Sequence, residues 1–349
     1  MATTMTTIRQ SDFPAGESGL DVKQYTLDNG KMSIDILDLG GTIASVRLPD
    51  RKGEIADVCL GFSDAHSYLT YGGYLGAMIG RYANRIGRGR FCLGGREYTL
   101  DCNDGRNHLH GGLAGFDKRL WEVRQEGEAL ILSIDSPDGE GGYPGNVSVQ
   151  VRAALTEENE LVLNYTAQSD ADTILNLTNH SYWNLRGAGN GDILGHSLQL
   201  NASRFTRVDN EAIPTGELPA VDGTVFDFRT PHEIGERIGA DCSDLKAVGG
   251  YDHNFVIDGS GFREAALLSE AESGRSIRIS TDLPGIQLYA GNMLDGTLVG
   301  KGGVPYGKHA GVALETQFFP DSPNRPEFPS CLLRAGEEFC HTTVYRFGW

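Results

Sequence analysis

The apolar residues of this chain come in short stretches cut by glycine-rich and Asn/Asp-rich turns, a punctuation that all but rules out a helical protein. Glycine supplies 47 of the 349 residues. It serves tight turns and close backbone approaches but weakens helix interiors. Between the turns the pattern alternates apolar and polar, the period of a half-buried strand. Asp28-Asn29-Gly30 divides two strand-like runs between Asp21 and Ile36, and Gly94-Gly95 interrupts a strand over Phe91 to Leu100. Leu130 to Ile134, Val147 to Ala153 and Leu161 to Ala167 read as successive antiparallel strands, as do Ala265 to Ser269, Ser276 to Thr281, Ile286 to Tyr289 and His341 to Arg346. Pro231 to Ile238 is the one short helix expected. The result is an all-β chain of large, sandwich-like architecture. Residues 1–20 read as a flexible leader and 21–349 as a single domain, because no repeat or low-complexity linker marks a boundary.

Charge narrows the partners. With 30 basic and 47 acidic residues the formal net charge is -17, which opposes attraction to nucleic acid or anionic membranes. A small, neutral, polar ligand is the easier partner. The first residues carry no apolar core of the kind a signal peptide or anchor needs. The six cysteines are too widely spaced for a zinc site or redox dithiol. Reduced, mostly buried thiols and a cytoplasmic setting are therefore expected, with the choice between monomer and weak dimer left open.

Several stretches place polar chemistry in apolar surroundings. In LNLTNHSYWNL, Leu175 to Leu185, alternation puts Asn176, Thr178 and His180 on one face of a strand. Read locally, His180 is equally well a ligand-facing residue or a buried histidine satisfied by amides. Arg81, Asn84 and Arg85 in GRYANRIGRGR offer a rigid guanidinium fork and an amide suited to the oxygens of a polyol, against the plainer reading as surface ion pairs. The motif has the form of neither a phosphate loop nor a dinucleotide fingerprint. His108 and His110 in NHLHGG share a side if that tripeptide is extended. No adjacent carboxylate or cysteine completes a metal set, so hydrogen-bond or acid/base chemistry ranks first and no metal or cofactor is assigned. Asp252 follows a Gly-Gly-Tyr turn and could equally cap it or accept hydroxyl protons. Glu315 in GVALETQFFP is an acid in an apolar run, the environment that raises proton affinity toward that of a general base. Gln287 in PGIQLYAG has the same polar-in-apolar character.

Taken jointly and in order, GRYANRIGRGRF, NHLHGG, NLTNHSYWNL, YDHNF, PGIQLYAGN and LETQFFPDSPNRPEFP resemble the galactose mutarotase, or aldose 1-epimerase, family over nearly the whole chain from about Asp21. The resemblance implies a large antiparallel β-supersandwich acting on a free aldose without cofactor or metal. It implies Glu315 as catalytic base, His180 as the acid at the sugar ring oxygen, and His110 as the other active-site histidine. Arg85, Asn84, Asp252 and Gln287 become sugar contacts, with a weaker claim for Arg81, and His108 becomes a support for His110. In the implied reaction ionised Glu315 takes the anomeric hydroxyl proton while protonated His180 donates to the ring oxygen; the aldehyde rotates about C1–C2 and recloses as the other anomer. The competing readings are a glycoside hydrolase using Asp252 and Glu315 as an acidic pair, a non-catalytic carbohydrate-binding or regulatory sandwich, and an epimerase for phosphorylated sugars, disfavoured by the acidic balance and lack of a phosphate cradle.

Overall fold

The computed structural model of the chain describes residues 5–349. Alternation in the sequence becomes burial in the fold. In Val147–Leu155 the side chains of Val147, Val149, Val151, Ala153 and Leu155 are buried, while Ser148, Gln150 and Arg152 are exposed. Three large sheets result, antiparallel throughout.

A five-stranded meander takes Thr7–Phe13, Val22–Asp28, Ser33–Leu37, Ile43–Pro49 and Ile55–Asp57 in chain order. A nine-stranded sheet runs Glu122–Glu126, Ala129–Ser136, Val147–Leu155, Glu160–Ser169, Glu338–Gly348, Ser276–Thr281, Arg263–Ser269, Ser197–Leu200 and His232–Glu233. The C-terminal strand Glu338–Gly348 thus lies inside this sheet and ties its two halves together. The third sheet has the order Tyr182–Trp183, Val312–Gln317, Gly285–Tyr289, Asp252–Ile257 and Ala202–Phe205. One continuous apolar cluster joins all three, including Ile34, Leu132, Leu161, Leu288, Leu314 and Tyr345. The all-β expectation holds.

Four local expectations need correction. The supposed leader contains a strand: Thr7–Phe13 pairs residue for residue with Val22–Asp28, from Thr7 opposite Asp28 to Phe13 opposite Val22. Its sequence TIRQSDF has no apolar alternation because backbone hydrogen bonds at a sheet edge, rather than burial, hold it. The leader expectation for residues 1–4 lies outside the described residues. No α-helix forms over Pro231 to Ile238; His232–Glu233 is a strand and Ile234–Glu236 a 3-10 turn, since the amides of Ile234 and Gly235 donate to His196 and Leu194. Among the described residues the α-helices are Ala65–Thr70, with Asp64 accepting from the Ser67 amide at 2.8 Å, and Ser243–Val248, closed by Gly249 at φ 73°. The six cysteines are all unpaired, but only Cys59 and Cys331 are buried, whereas Cys92, Cys102 and Cys340 are exposed. Among the described residues no helix is long and apolar enough to cross a membrane.

Candidate active site

The third sheet organises the candidate site through strand register. Asn254 lies opposite Gln287 and Gln287 opposite Glu315; one step along, Asp252, Tyr289, Ala313 and Tyr182 form a parallel row. Because side chains alternate along a strand, Asp252 and Asn254, Gln287 and Tyr289, and Glu315 and Gln317 share one face. The intervening residues Phe255, Ile286, Leu288 and Leu314 pack into the core on the other. Gly285 sits on the polar face, where a Cβ would stand 2.4 Å from Asn254 Oδ1 and 2.9 Å from the Phe319 ring. Its lack of a side chain leaves room for the amides.

Loops bring the remaining groups over this face. The short strand Arg85–Ile86 pairs with His108–Leu109, setting Leu109 opposite Arg85. Next to it the Asn84 amide donates to His110 Nδ1 at 3.1 Å and the His110 amide to the Asn84 carbonyl at 3.1 Å. Asn84 and His110 both adopt left-handed backbone, φ 67° and 51°, a conformation uncommon for non-glycine residues and concentrated at functional sites. His180 falls between Thr178–Asn179 and Tyr182–Trp183, where its amide donates to Ala77 and its carbonyl accepts from Gly76.

These elements enclose a cavity of about 250 Å³ lined by Tyr74, Asn84, Arg85, Asp104, Leu109, His110, His180, Tyr182, Asp252, Tyr289, Met293 and Glu315, together with Gly73. That suits one monosaccharide: hydroxyl-binding groups on the walls, aromatic rings against apolar ring faces. Met293, 80% exposed, marks the mouth. A larger cleft of about 490 Å³ lies elsewhere, lined by Arg88, Arg106, Glu211, Asp321 and Arg325 among others. Its charges are largely spent on each other in the pairs Arg106–Glu211 and Arg325–Asp321, so the smaller cavity is the better reactive site.

Within the cavity His180 Nε2 stands 3.5 Å from Glu315 Oε1, both side chains almost completely buried. Burial pushes Glu315 well above the ordinary carboxyl range, reinforced by Asp252 and tempered by Arg85. Burial likewise pushes His180 down to about 4. Both shifts have the same origin, the cost of charge away from water. Asp252 is raised by burial against the opposing pull of Arg85 and Gln287. Burial disfavours the Arg85 charge too, but Asp252 and Asp104 outweigh it and hold the guanidinium protonated. His110 is driven well below the usual imidazole range by burial, then by His180 and Arg85.

The tautomer of His110 distinguishes proton chemistry from metal binding. His110, His180 and Glu315 each offer an atom within 4.8 Å of the others, a spacing compatible with an ion. The Asn84 amide can only donate, so Nδ1 of His110 must present its lone pair, and the neutral ring carries its proton on Nε2. Metal-bound histidines show the reverse arrangement, with the second nitrogen donating. His110 is therefore built as a hydrogen-bond donor toward the cavity.

Two sequence-predicted contacts stand elsewhere. Arg81 is buried, its guanidinium tied to Ser136 Oγ at 2.7 Å and to the carbonyls of Ser136, Pro137, Pro144 and Gly145. It organises a loop and is absent from the cavity wall. Gln287 lies behind the wall, donating to Asp252 Oδ1 at 2.7 Å and accepting from Gln317 at 3.2 Å. His108 is fully occupied between the Asp101 carbonyl at 2.7 Å and the Tyr143 hydroxyl at 2.5 Å. Asn176 is consumed by the Ala83 and Phe318 backbone, and of the Asn176, Thr178 and His180 set only His180 reaches the cavity. Sequence reasoning missed Asp104 and Tyr74, although both lie in glycine-bracketed polar or aromatic loops. The Tyr74 ring is 4.7 Å from His110 and 5.9 Å from His180.

The aldose 1-epimerase family profile matches residues 23–346. The chain belongs to the aldose 1-epimerase family. Bovine galactose mutarotase is 45% identical over 337 residues, 96% of each chain. The Escherichia coli K12 aldose 1-epimerase is 40% identical over 325 residues, 92% of this chain and 93% of that one. In structure, galactose 1-epimerase from Lactobacillus acidophilus superposes with a TM-score of 0.86 at 31% identity, covering 98% of this chain and 99% of that one. This aldose 1-epimerase is thus an enzyme of anomer interconversion with the galactose mutarotase-like fold.

Proposed function

We propose that the enzyme interconverts the α and β anomers of free galactose and glucose, with Glu315 and His180 exchanging protons at the anomeric hydroxyl and ring oxygen. The observation that carries this reading is the buried pair itself, 3.5 Å apart on the wall of a monosaccharide-sized cavity. In the free site desolvation opposes the charged forms of both His180 and Glu315. A bound pyranose offsets that cost: its O1 hydroxyl donates to the Glu315 carboxylate and its ring oxygen accepts from protonated His180, hydrogen bonds that favour the charged forms. Proton transfer along both contacts opens the ring. Rotation about C1–C2 and the reverse transfers close it on the other face, without a covalent intermediate. Nε2–H of His110 then stabilises oxygen charge as it develops, while Arg85, Asn84 and Asp252 hold the hydroxyl pattern.

Galactose is supported by the names of the bovine and bacterial relatives, and glucose is the second substrate we assign. A phosphorylated sugar is disfavoured because Arg85 is flanked by the carboxylates of Asp104 and Asp252 in an acidic lining. Six unpaired thiols suit a cytoplasmic setting. The test is NMR anomer exchange on galactose, glucose and their phosphates. Acceleration for the free sugars is expected, and its absence for every free aldose overturns the assignment.

A further inference from the structure

Arg85 stands between two acids, and its geometry differs at each. Its Nε–H donates to Asp104 Oδ2 at 2.7 Å, whereas its Nη1 is 4.0 Å from Asp252 Oδ2, beyond direct hydrogen-bond reach. A guanidinium donates in a fixed fork, so occupying Nε determines which way the two terminal nitrogens face.

We propose that Asp104 is a positioning residue for the sugar: by engaging Nε it holds Arg85 short of Asp252, leaving the guanidinium terminus and Oδ2 of Asp252 both free for hydroxyls. This rests on the sugar-binding role given to Arg85 and Asp252 above. Without Asp104, the opposite charges of Arg85 and Asp252 would close into a direct pair inside a poorly solvated cavity, where such attraction is strong. Each would then mask the other from the ligand.

The loop carrying Asp104 is built to keep this distance. Asn103 reads the backbone of Leu109 twice, accepting its amide at 2.8 Å and donating to its carbonyl at 2.9 Å. The amides of Asp104 and Asn107 bond to each other's carbonyls across the turn. Asp104 and His110 are therefore held in fixed relation on one short segment, and since Leu109 pairs with Arg85 in the adjoining strand, Arg85 belongs to the same unit. Asp104 also lines the cavity, with a side chain 38% exposed against 17% for Arg85. It sits at the outer edge of the site, where water would otherwise compete for Nε.

The test is a double-mutant cycle over Arg85→Ala and Asp104→Ala, read by calorimetric galactose binding and by KM and kcat for anomer exchange, with Asp104→Asn as the conservative variant. Asp104→Ala should weaken galactose binding and raise KM by about tenfold, with kcat within about threefold. Asp104→Asn, whose amide oxygen still accepts from Nε, should recover most of the affinity. With Arg85 already removed, Asp104→Ala should change binding by less than about twofold. Additive effects, a fall in kcat matching the rise in KM, or unchanged affinity in Asp104→Ala would overturn the proposal. Wild-type protein that binds galactose without accelerating exchange would instead sink the activity reading, leaving the binding cycle to decide on Asp104.

Discussion

Replacing Glu315 by glutamine separates the two consequences of burying an acid in the cavity. The side chain keeps its length and its place beside His180, but loses the ability to accept a proton. If it is the base at the anomeric hydroxyl, kcat should fall by about 10²-fold to 10⁴-fold, or roughly 3–5 kcal/mol of barrier. Stability should move the other way. Glu315 has a folded-state pKa raised well above its ordinary value of 4.5, so above that pH the unfolded chain releases a proton that the folded protein retains. Folding stability therefore falls as pH rises above about 4.5 through this one group, and is unaffected by it at lower pH. Glutamine removes the penalty. We expect Tm to rise by about 2 °C at pH 7 and the difference from wild type to shrink toward pH 4. Anomer exchange by NMR, corrected for the spontaneous rate, and thermal melts at the two pH values measure both. A folded Glu315→Gln protein with near-native turnover would refute the base assignment; a Tm lowered at pH 7 would refute the account of its burial.

The lowered His180 value gives a pH profile: the acid limb of kcat/KM should fall near about 4, and an acid limb near an ordinary histidine value would contradict the burial argument. Arg81→Lys should cost about 3 kcal/mol or more of stability in denaturant melts by stranding buried carbonyls, yet leave KM for galactose unchanged in the folded fraction; a large KM increase would return Arg81 to the sugar site. Gly285→Ala should destabilise by about 1–3 kcal/mol and lower kcat by displacing Asn254 or Phe319 beneath the acid row, and normal melts with normal kcat would show that the row tolerates the shift.

By itself the sequence determined the fold class and the location of most of the chemistry. Turn punctuation and period-two alternation are local properties, so Val147–Leu155 and Ser276–Thr281 were legible as strands. Ordered motifs likewise picked out Arg85, His110, His180, Asp252 and Glu315, all of which line one cavity. The strand Thr7–Phe13 was not legible, because an exposed edge carries no apolar signature. Arg81 and Arg85 share a motif, but only the path of the loop sends one into carbonyls and the other into the cavity. His108 and His110 would face one way in an extended chain; the left-handed turn at His110 places one against Tyr143 and the other in the cavity. The raised proton affinity of Glu315 was legible in its apolar run, but the lowered one of His180 was not, since it depends on how completely distant strands exclude water from it. Periodicity is written in neighbouring residues, whereas direction, desolvation and the meeting of Asp104 with Arg85 arise only when separate segments close on one another.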